Sequence, residues 1–234
     1  MDAYIGLVAE CLRPLLQGHL PAASVLKLLV SKTLGYGIVV GASVVKLPQV
    51  ANVVLAKKAN GLSSASFEME QVALITTLIY SHLRNLPFST YGESCLLLIQ
   101  NFLLLFLIYR YTGANKLLSL SKLSLLGLVL VAGYANQISL KIVEAVYELS
   151  IFIMIAARLP QIFKAFRERS TGQLSLITTA LNLLGTLARI FTSHAESGGT
   201  AMIRNYCVSA ALHGAMLAQI LFYGSRHSVK QKKK

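Results

Sequence analysis

Two short phrases of the same chemistry sit deep in apolar sequence: Lys46-Leu47-Pro48-Gln49-Val50 and Arg158-Leu159-Pro160-Gln161-Ile162. Each sets a cation two residues before a proline and an amide directly after it. In a helix a proline withholds a hydrogen bond and bends the axis, so Pro48 cannot donate to the carbonyl of Val44, nor Pro160 to that of Ala156. Gln49 and Gln161 can both donate and accept, and either satisfy the bend or bind a polar ligand. Lys46 and Arg158 either snorkel to bilayer phosphates or meet an anionic substrate. A phosphodiester headgroup suits both, because a guanidinium forks onto phosphate oxygens. Pro48 and Pro160 stand 112 residues apart. That recurrence points to a membrane protein built by internal duplication, with hinges at Pro48, Gln49, Pro160 and Gln161. The plainer alternative, bends that only shape the bundle, stays open.

Other polar groups fall in the same apolar context. Glu70 lies near the start of one expected helix and Arg189 within another. Charges in spanning segments usually face the bundle interior or water. At the 112-residue offset Glu70 meets Asn182 and Asn101 meets His213, which places polar groups on matching faces. Lys46, Glu70, Asn101, Arg158, Asn182, Arg189 and His213 are therefore the expected lining of a polar path. Asn101, His213 and Gln219 are equally able to glue helices together, and His82 and His194 fall at helix ends. No catalytic constellation, metal-ligand cluster or phosphate-cradling glycine loop stands out, so neither an enzyme, a metal nor a cofactor is expected. Gly61 reads as a turn residue. Cys11, Cys95 and Cys207 form no disulfide framework.

The elements that must position these residues are membrane-length helices of about 20 apolar residues. Candidates run over 33–55, 67–84, 92–111, 118–136, 142–165, 174–192 and 204–224. The offset of 112 also brings Leu62-Ser63 onto Leu174-Ser175, Ser81-His82 onto Ser193-His194 and Cys95 onto Cys207. The expected fold is an all-α membrane protein of about seven spans, with two parallel three-helix repeats joined by a linker helix. Residues 1–30 form a lead-in at the interface, 31–114 the first repeat, 115–140 the linker, 141–225 the second repeat and 226–234 a basic tail. The first residues lack the basic start and cleavage site of a signal peptide, so the first span is expected to do its own targeting.

Loop charge sets the expected orientation. One side gathers Lys57, Lys58, Arg110, Lys116, Lys122, Lys164, Arg167 and Arg169, and the positive-inside rule puts it in the cytosol, with the N-terminus lumenal and the tail cytosolic. Lys230 and Lys232, fifth and third from the end, fit the dilysine pattern that returns membrane proteins to the endoplasmic reticulum through coat machinery. A polybasic tail on anionic lipid is the alternative.

Composition agrees. Of 234 residues, 55% are hydrophobic and 13% charged, against roughly 25% charged in soluble domains, and the mean hydropathy is +0.61. The net charge of +13 would raise nucleic-acid binding in a soluble protein. Here the basic residues cluster at the ends of apolar runs rather than on one amphipathic face, which excludes nucleic acid as a partner.

The paired Leu-Pro-Gln phrases, each followed by a Leu-Ser, resemble the PQ-loop superfamily, which includes SWEET-type sugar carriers and cystinosin-type exporters. The ordered set is narrower. It runs from Gly41 through Pro48-Gln49 and Gly61-Leu62-Ser63 to Ser170-Thr171-Gly172-Gln173-Leu174-Ser175, then Leu187-Ala188-Arg189-Ile190-Phe191-Thr192-Ser193 and the lysine-rich ending. It resembles the mannose-phosphate-dolichol utilisation defect family over nearly the whole chain after about Lys27. That resemblance implies a multi-pass protein of the endoplasmic reticulum, not itself an enzyme. It would be needed to use dolichyl-phosphate-mannose and dolichyl-phosphate-glucose as lumenal donors for N-glycan assembly, glycolipid anchors and O- or C-mannosylation. It assigns no contact residue.

Three mechanisms follow. The chain translocates the lipid-linked sugar as a scramblase, with dolichyl-phosphate sugars and membrane lipid as its partners. It presents the donor to lumenal-facing glycosyltransferases as a chaperone or scaffold. Or it carries a small solute, as SWEET-type and cystinosin-type proteins do.

Overall fold

The structure, a computed structural model, describes residues 2–59, 61–170 and 175–231. Those residues are all-helical: α1 Asp2–Leu16, α2 Ala23–Ala42, α3 Leu47–Ala56, α4 Ser64–Leu83, α5 Phe88–Tyr111, α6 Lys116–Tyr134, α7 Leu140–Glu168, α8 Leu176–Ala195 and α9 Thr200–Gln231. α2 and α3 form one interrupted body of 34 residues, Ala23–Ala56. Among the described residues five helices are long and apolar enough to cross a membrane: Ala23–Ala56, Phe88–Tyr111, Lys116–Tyr134, Leu176–Ala195 and Thr200–Tyr223. α4 and α7, also expected as spans, are 20 and 29 residues long, lie outside those five and carry carboxylates, Glu68 and Glu70 on α4, Glu144 and Glu148 on α7. Along α6, Leu117, Leu118, Leu120, Leu125, Leu128 and Val131 are all exposed. Water would not tolerate so continuous an apolar face, whereas lipid does.

The first span begins at Ala23, ten residues before the expected 33. Lys27 and Lys32 lower the local hydropathy, yet the helix starts two residues after Pro21, with Ala22 as its N-cap. Residues 23–30 therefore belong to α2 rather than to a lead-in, and α1 packs against α2. The residues 226–231 expected as a tail continue α9; Lys230 lies in its last turn, while Lys232, like Thr171 to Leu174, lies outside the described residues.

The 112-residue offset governs local structure far beyond the identical residues. α4 and α8 have both bounds in register, and α3 and α7 end at matching positions, Ala56 and Glu168. The next residues, Lys57 and Arg169, both adopt a left-handed backbone, φ 49° and 48°, and so do Asn85 and Ser197, φ 52° and 57°. Such values are uncommon outside glycine, so their coincidence reflects a shared chain path. Ser63 and Ser175 cap α4 and α8 identically, each hydroxyl accepting from the backbone N–H three residues on, Ser66 at 3.4 Å and Thr178 at 3.3 Å.

Packing repeats as well. α5 lies against both α2 and α4, and α9 against both α7 and α8. Across the halves, α2 touches α8 and α4 touches α7, while α6 lies against α4 and α5. The main core joins the halves: Ile75, Leu78, Ile79 and Tyr80 of α4 meet Leu98, Val143, Tyr147, Ala201 and Met202. α2 approaches α5 at Gly35, where a Cβ would stand 2.6 Å from the carbonyl oxygen of Ser89.

Candidate functional site

The first Leu-Pro-Gln phrase is not a kink within a helix. α2 stops at Ala42 and α3 starts at Leu47, which puts Pro48 in the first turn of a new helix, where no N–H is needed. The carbonyl of Val44 takes the Leu47 N–H at 3.3 Å instead. The break lies ahead of the proline, and Gln100 of α5 fills it. Its Oε1 accepts from the Lys46 N–H at 2.9 Å, and its Nε2 donates to the Ala42 carbonyl at 2.8 Å. Lys46 and Ala42 would bond each other in an unbroken helix, so one amide side chain has been inserted into the ladder. At the offset position of Gln100 stands Leu212, and there α7 runs through Pro160 without a break.

The break turns Lys46 inward. Its residue is 8% exposed, and its ammonium donates to Glu70 Oε2 at 2.6 Å and to Asn101 Oδ1 at 3.0 Å, 5.0 Å from the centre of the Phe67 ring. Asn101 passes the network on, donating to Gln71 Oε1 at 2.7 Å and to the Phe67 carbonyl at 2.9 Å. Three of the residues expected along a path, Lys46, Glu70 and Asn101, are thus gathered into one charge-neutral knot. Gln71 Nε2 stays buried and unpartnered beside it.

The second half brings together Arg158 and His213, but not as a copy. Arg158 is half-buried, its Nη1 3.7 Å from the sulfur of Met216 and its charge within reach of His213. Among the described residues no carboxylate lies within salt-bridge distance of Arg158. His213 Nδ1 meets Ser209 Oγ at 3.3 Å, while its Nε2 is buried without a partner. Gln219, one turn beyond Met216, donates to the Ile162 carbonyl at 2.9 Å and keeps an unpartnered buried Oε1. Asn182, at the position equivalent to Glu70, is exposed and apart from Arg158's contacts. Among the described residues neither Gln49, half-exposed, nor Gln161, exposed, has a hydrogen-bond partner for its amide.

Arg189 belongs to a third group, where the halves meet at the opposite end. It is 4% exposed and donates to the carbonyls of Ser89 at 2.9 Å and Thr90 at 3.1 Å and to the Glu93 carboxylate. These three partners of its guanidinium lie on α5, so it fastens α8 to α5. Beside it Glu196, 9% exposed, accepts from Ser31 Oγ at 2.8 Å, from Lys32 Nζ at 3.3 Å and from the Ser89 hydroxyl. Arg84 pairs with Glu144 at the same end, and Arg204 with Glu148. Gln100, Glu93, Ser31 and Lys32 were not singled out by sequence. The only sequence signal they carry is a polar residue within an apolar run.

Comparison with known proteins places this geometry. Residues 30–90 and 143–198, together half of the chain, match the family model described as PQ loop repeat. Human "Solute carrier family 66 member 3" is 24% identical over 178 residues, covering 76% of this chain and 86% of its own length.

Proposed function

The chain belongs to the PQ loop repeat family of multi-pass membrane proteins, and from that premise we propose that it translocates a lipid-linked sugar phosphate, dolichyl-phosphate-mannose or dolichyl-phosphate-glucose, across the endoplasmic reticulum membrane. It is not an enzyme in this reading. Two parallel three-helix units, α2/α3–α5 and α7–α9, are joined by α6, and seven spans cross the bilayer. The lumenal donor pool for glycosyltransferases is its product.

The observation that carries the reading is the reciprocal pairing of α2 with α8 and α4 with α7. Through α5, which joins α2 to α4, and α9, which joins α7 to α8, six helices thereby close a ring. At one end buried ion pairs of Lys32, Glu93, Arg189 and Glu196 fasten this ring shut. At the other, the half-exposed Gln49 and exposed Gln161 amides have no protein partner among the described residues. A ring closed at one end and offering free amides at the other suits alternating exposure of a polar head, while the polyisoprenoid tail stays in lipid. The ordered motifs from Gly41 to Ser193 support the dolichol-linked sugar as cargo. The basic end at Lys57, Lys58, Arg167 and Arg169 supports a cytosolic face there.

The likeness to a human protein named as a solute carrier favours a second reading, a small soluble solute as cargo. Liposomes containing only this purified protein separate the two. Flipping of a labelled mannosyl-phosphoryl-dolichol analogue, lost in Gln49→Ala/Gln161→Ala with the fold retained, is the expected result. Uptake of soluble sugar or amino acid without flipping would replace the reading with the solute carrier. Neither activity, in a protein that restores lumenal mannosylation to deficient cells, would replace it with a scaffold.

A further inference from the structure

The two halves handle their matching cations differently. In the first, Lys46 is neutralised: Glu70 supplies the negative charge and Asn101 a further acceptor. In the second, the carboxylate position holds Asn182, and among the described residues the hydrogen-bond partner of Arg158 is a thioether, a poor acceptor for a guanidinium. The surroundings of Arg158 are therefore one negative charge short. A half-buried cation in a membrane-embedded seam demands that charge from somewhere.

Two buried polar atoms on α9 flank the same contact. His213 Nε2 lies one turn before Met216 and Gln219 Oε1 one turn after it, and neither has a protein partner. Buried polar atoms are normally satisfied, so two orphans beside an uncompensated arginine call for a ligand with matching groups. Gln219 Nε2 is already committed to the Ile162 carbonyl, which leaves its Oε1 needing a donor such as a hydroxyl. From residue 213 to residue 219 a helix rises about 9 Å, the scale of a hexose with its phosphate.

We propose that the seam between α7 and α9 is the seat of a monoanionic sugar phosphodiester. Arg158 takes the phosphate, His213 Nε2–H adds a donor to it, and a sugar hydroxyl donates to Gln219 Oε1. One phosphodiester carries the single negative charge that the seam lacks. Lys46 takes no part in binding; it is the internal counterpart, with Glu70 in the place of the ligand. The seat deepens the translocation reading and rests on it for the lipid tail, but the headgroup chemistry can be tested without any tail.

The probe is methyl mannosyl phosphate, titrated calorimetrically into the full chain in detergent, with neutral methyl mannoside and dimethyl phosphate as controls. The expected order is mannosyl phosphate above dimethyl phosphate, with methyl mannoside weakest. Arg158→Gln should weaken mannosyl phosphate at least about tenfold, while Lys164→Gln, which removes the same charge from an exposed site on α7, should not. Gln219→Leu should abolish the preference for mannosyl over dimethyl phosphate and leave dimethyl phosphate binding intact. Unchanged affinity in a folded Arg158→Gln overturns the seat. If that variant does not fold, the Gln219→Leu arm decides, and an unchanged preference overturns it. Dimethyl phosphate binding as tightly as the mannosyl ester to the native chain also overturns it. Flipping that survives with no effect of Arg158→Gln leaves translocation standing without this seat. Binding as described, with no flipping by the native chain, leaves the seat standing without translocation.

Discussion

Arg84 and Glu196 occupy equivalent positions, 112 residues apart, at the ends of α4 and α8, and each clasps the opposite half through a partner that is also equivalent, with the signs reversed. Arg84 pairs with Glu144 of α7, and Glu196 with Lys32 of α2. Duplication preserved the placement of the clasp, and the charges were exchanged between its two sides. Two reciprocal clasps at one end fix how the halves meet there, whichever partner carries the plus sign.

The clasps differ in burial, and burial decides their worth. The Arg84 and Glu144 side chains are 39% and 33% exposed, in the range where ion pairs contribute about 0–1 kcal/mol. Those of Lys32 and Glu196 are 14% and 1% exposed, and losing one member of a buried pair costs about 3–5 kcal/mol. Glu196→Ala also strands the Ser89 hydroxyl and leaves that of Ser31 with the Thr192 carbonyl at 3.5 Å. Thermal unfolding in detergent should show a large loss for Glu196→Ala and a small one for Arg84→Ala. Equal losses would mean that the deeper clasp is not the main fastening.

Gln100 makes a second test, because a leucine stands at its equivalent position beside an unbroken helix. In Gln100→Leu the Lys46 N–H loses its acceptor, while the Ala42 carbonyl keeps the Val45 N–H at 3.4 Å. A buried donor left unpaired costs about 1–3 kcal/mol unless the helix closes on itself. The expected outcome is lower stability together with faster amide exchange over residues 43–46. Faster exchange confined to α5 would show that the inserted amide does not hold the break.

Gly35 tests the contact between α2 and α5. A Cβ there would meet backbone, the Ser89 carbonyl oxygen, rather than a side-chain end that can swing away. Gly35→Ala must therefore push the helices apart, and Ser89 carries with it a hydroxyl on Glu196 and a carbonyl on Arg189. A loss of about 1–3 kcal/mol, typical of overpacking, is expected in thermal unfolding. The harmless outcome, no change in melting, would show that the close approach at Gly35 is not maintained.

What the sequence disclosed and what it withheld divide along a physical line. The offset between the two Leu-Pro-Gln phrases carries through to helix ends, serine caps and left-handed residues, because these depend on local chain chemistry that duplication copies. Lys46, Glu70 and Asn101 stand out in the sequence as polar groups in apolar surroundings expected along one path, but nothing in their spacing pairs them with one another. The break before Pro48 was not legible, because a proline's cost depends on whether a helix passes through it or starts at it, and Gln100 on a distant helix decides that. Arg189, expected along the path, is tied to Glu93. Pairings across halves such as that one, or Glu196 with Ser31 and Lys32, have no sequence spacing to betray them.

The pairing of Lys46 with Glu70 is what distinguishes the first half from the second. Glu70→Gln removes the charge from a side chain 42% exposed and leaves the ammonium of Lys46, 10% exposed, with amide acceptors alone. Discounted for that exposure, the loss should be about 1–2 kcal/mol. Lys46→Met strands the carboxylate instead, at the wetter end of the pair. The double variant removes both charges and should be less destabilised than the sum of the singles, a coupling of about 1 kcal/mol or more in a double-mutant cycle of thermal unfolding. The equivalent cycle in the second half, Arg158→Met with Asn182→Ala, should show no such coupling. Additive losses at Lys46 and Glu70 would mean that the first half is not internally neutralised, and the two halves would then present their cations alike.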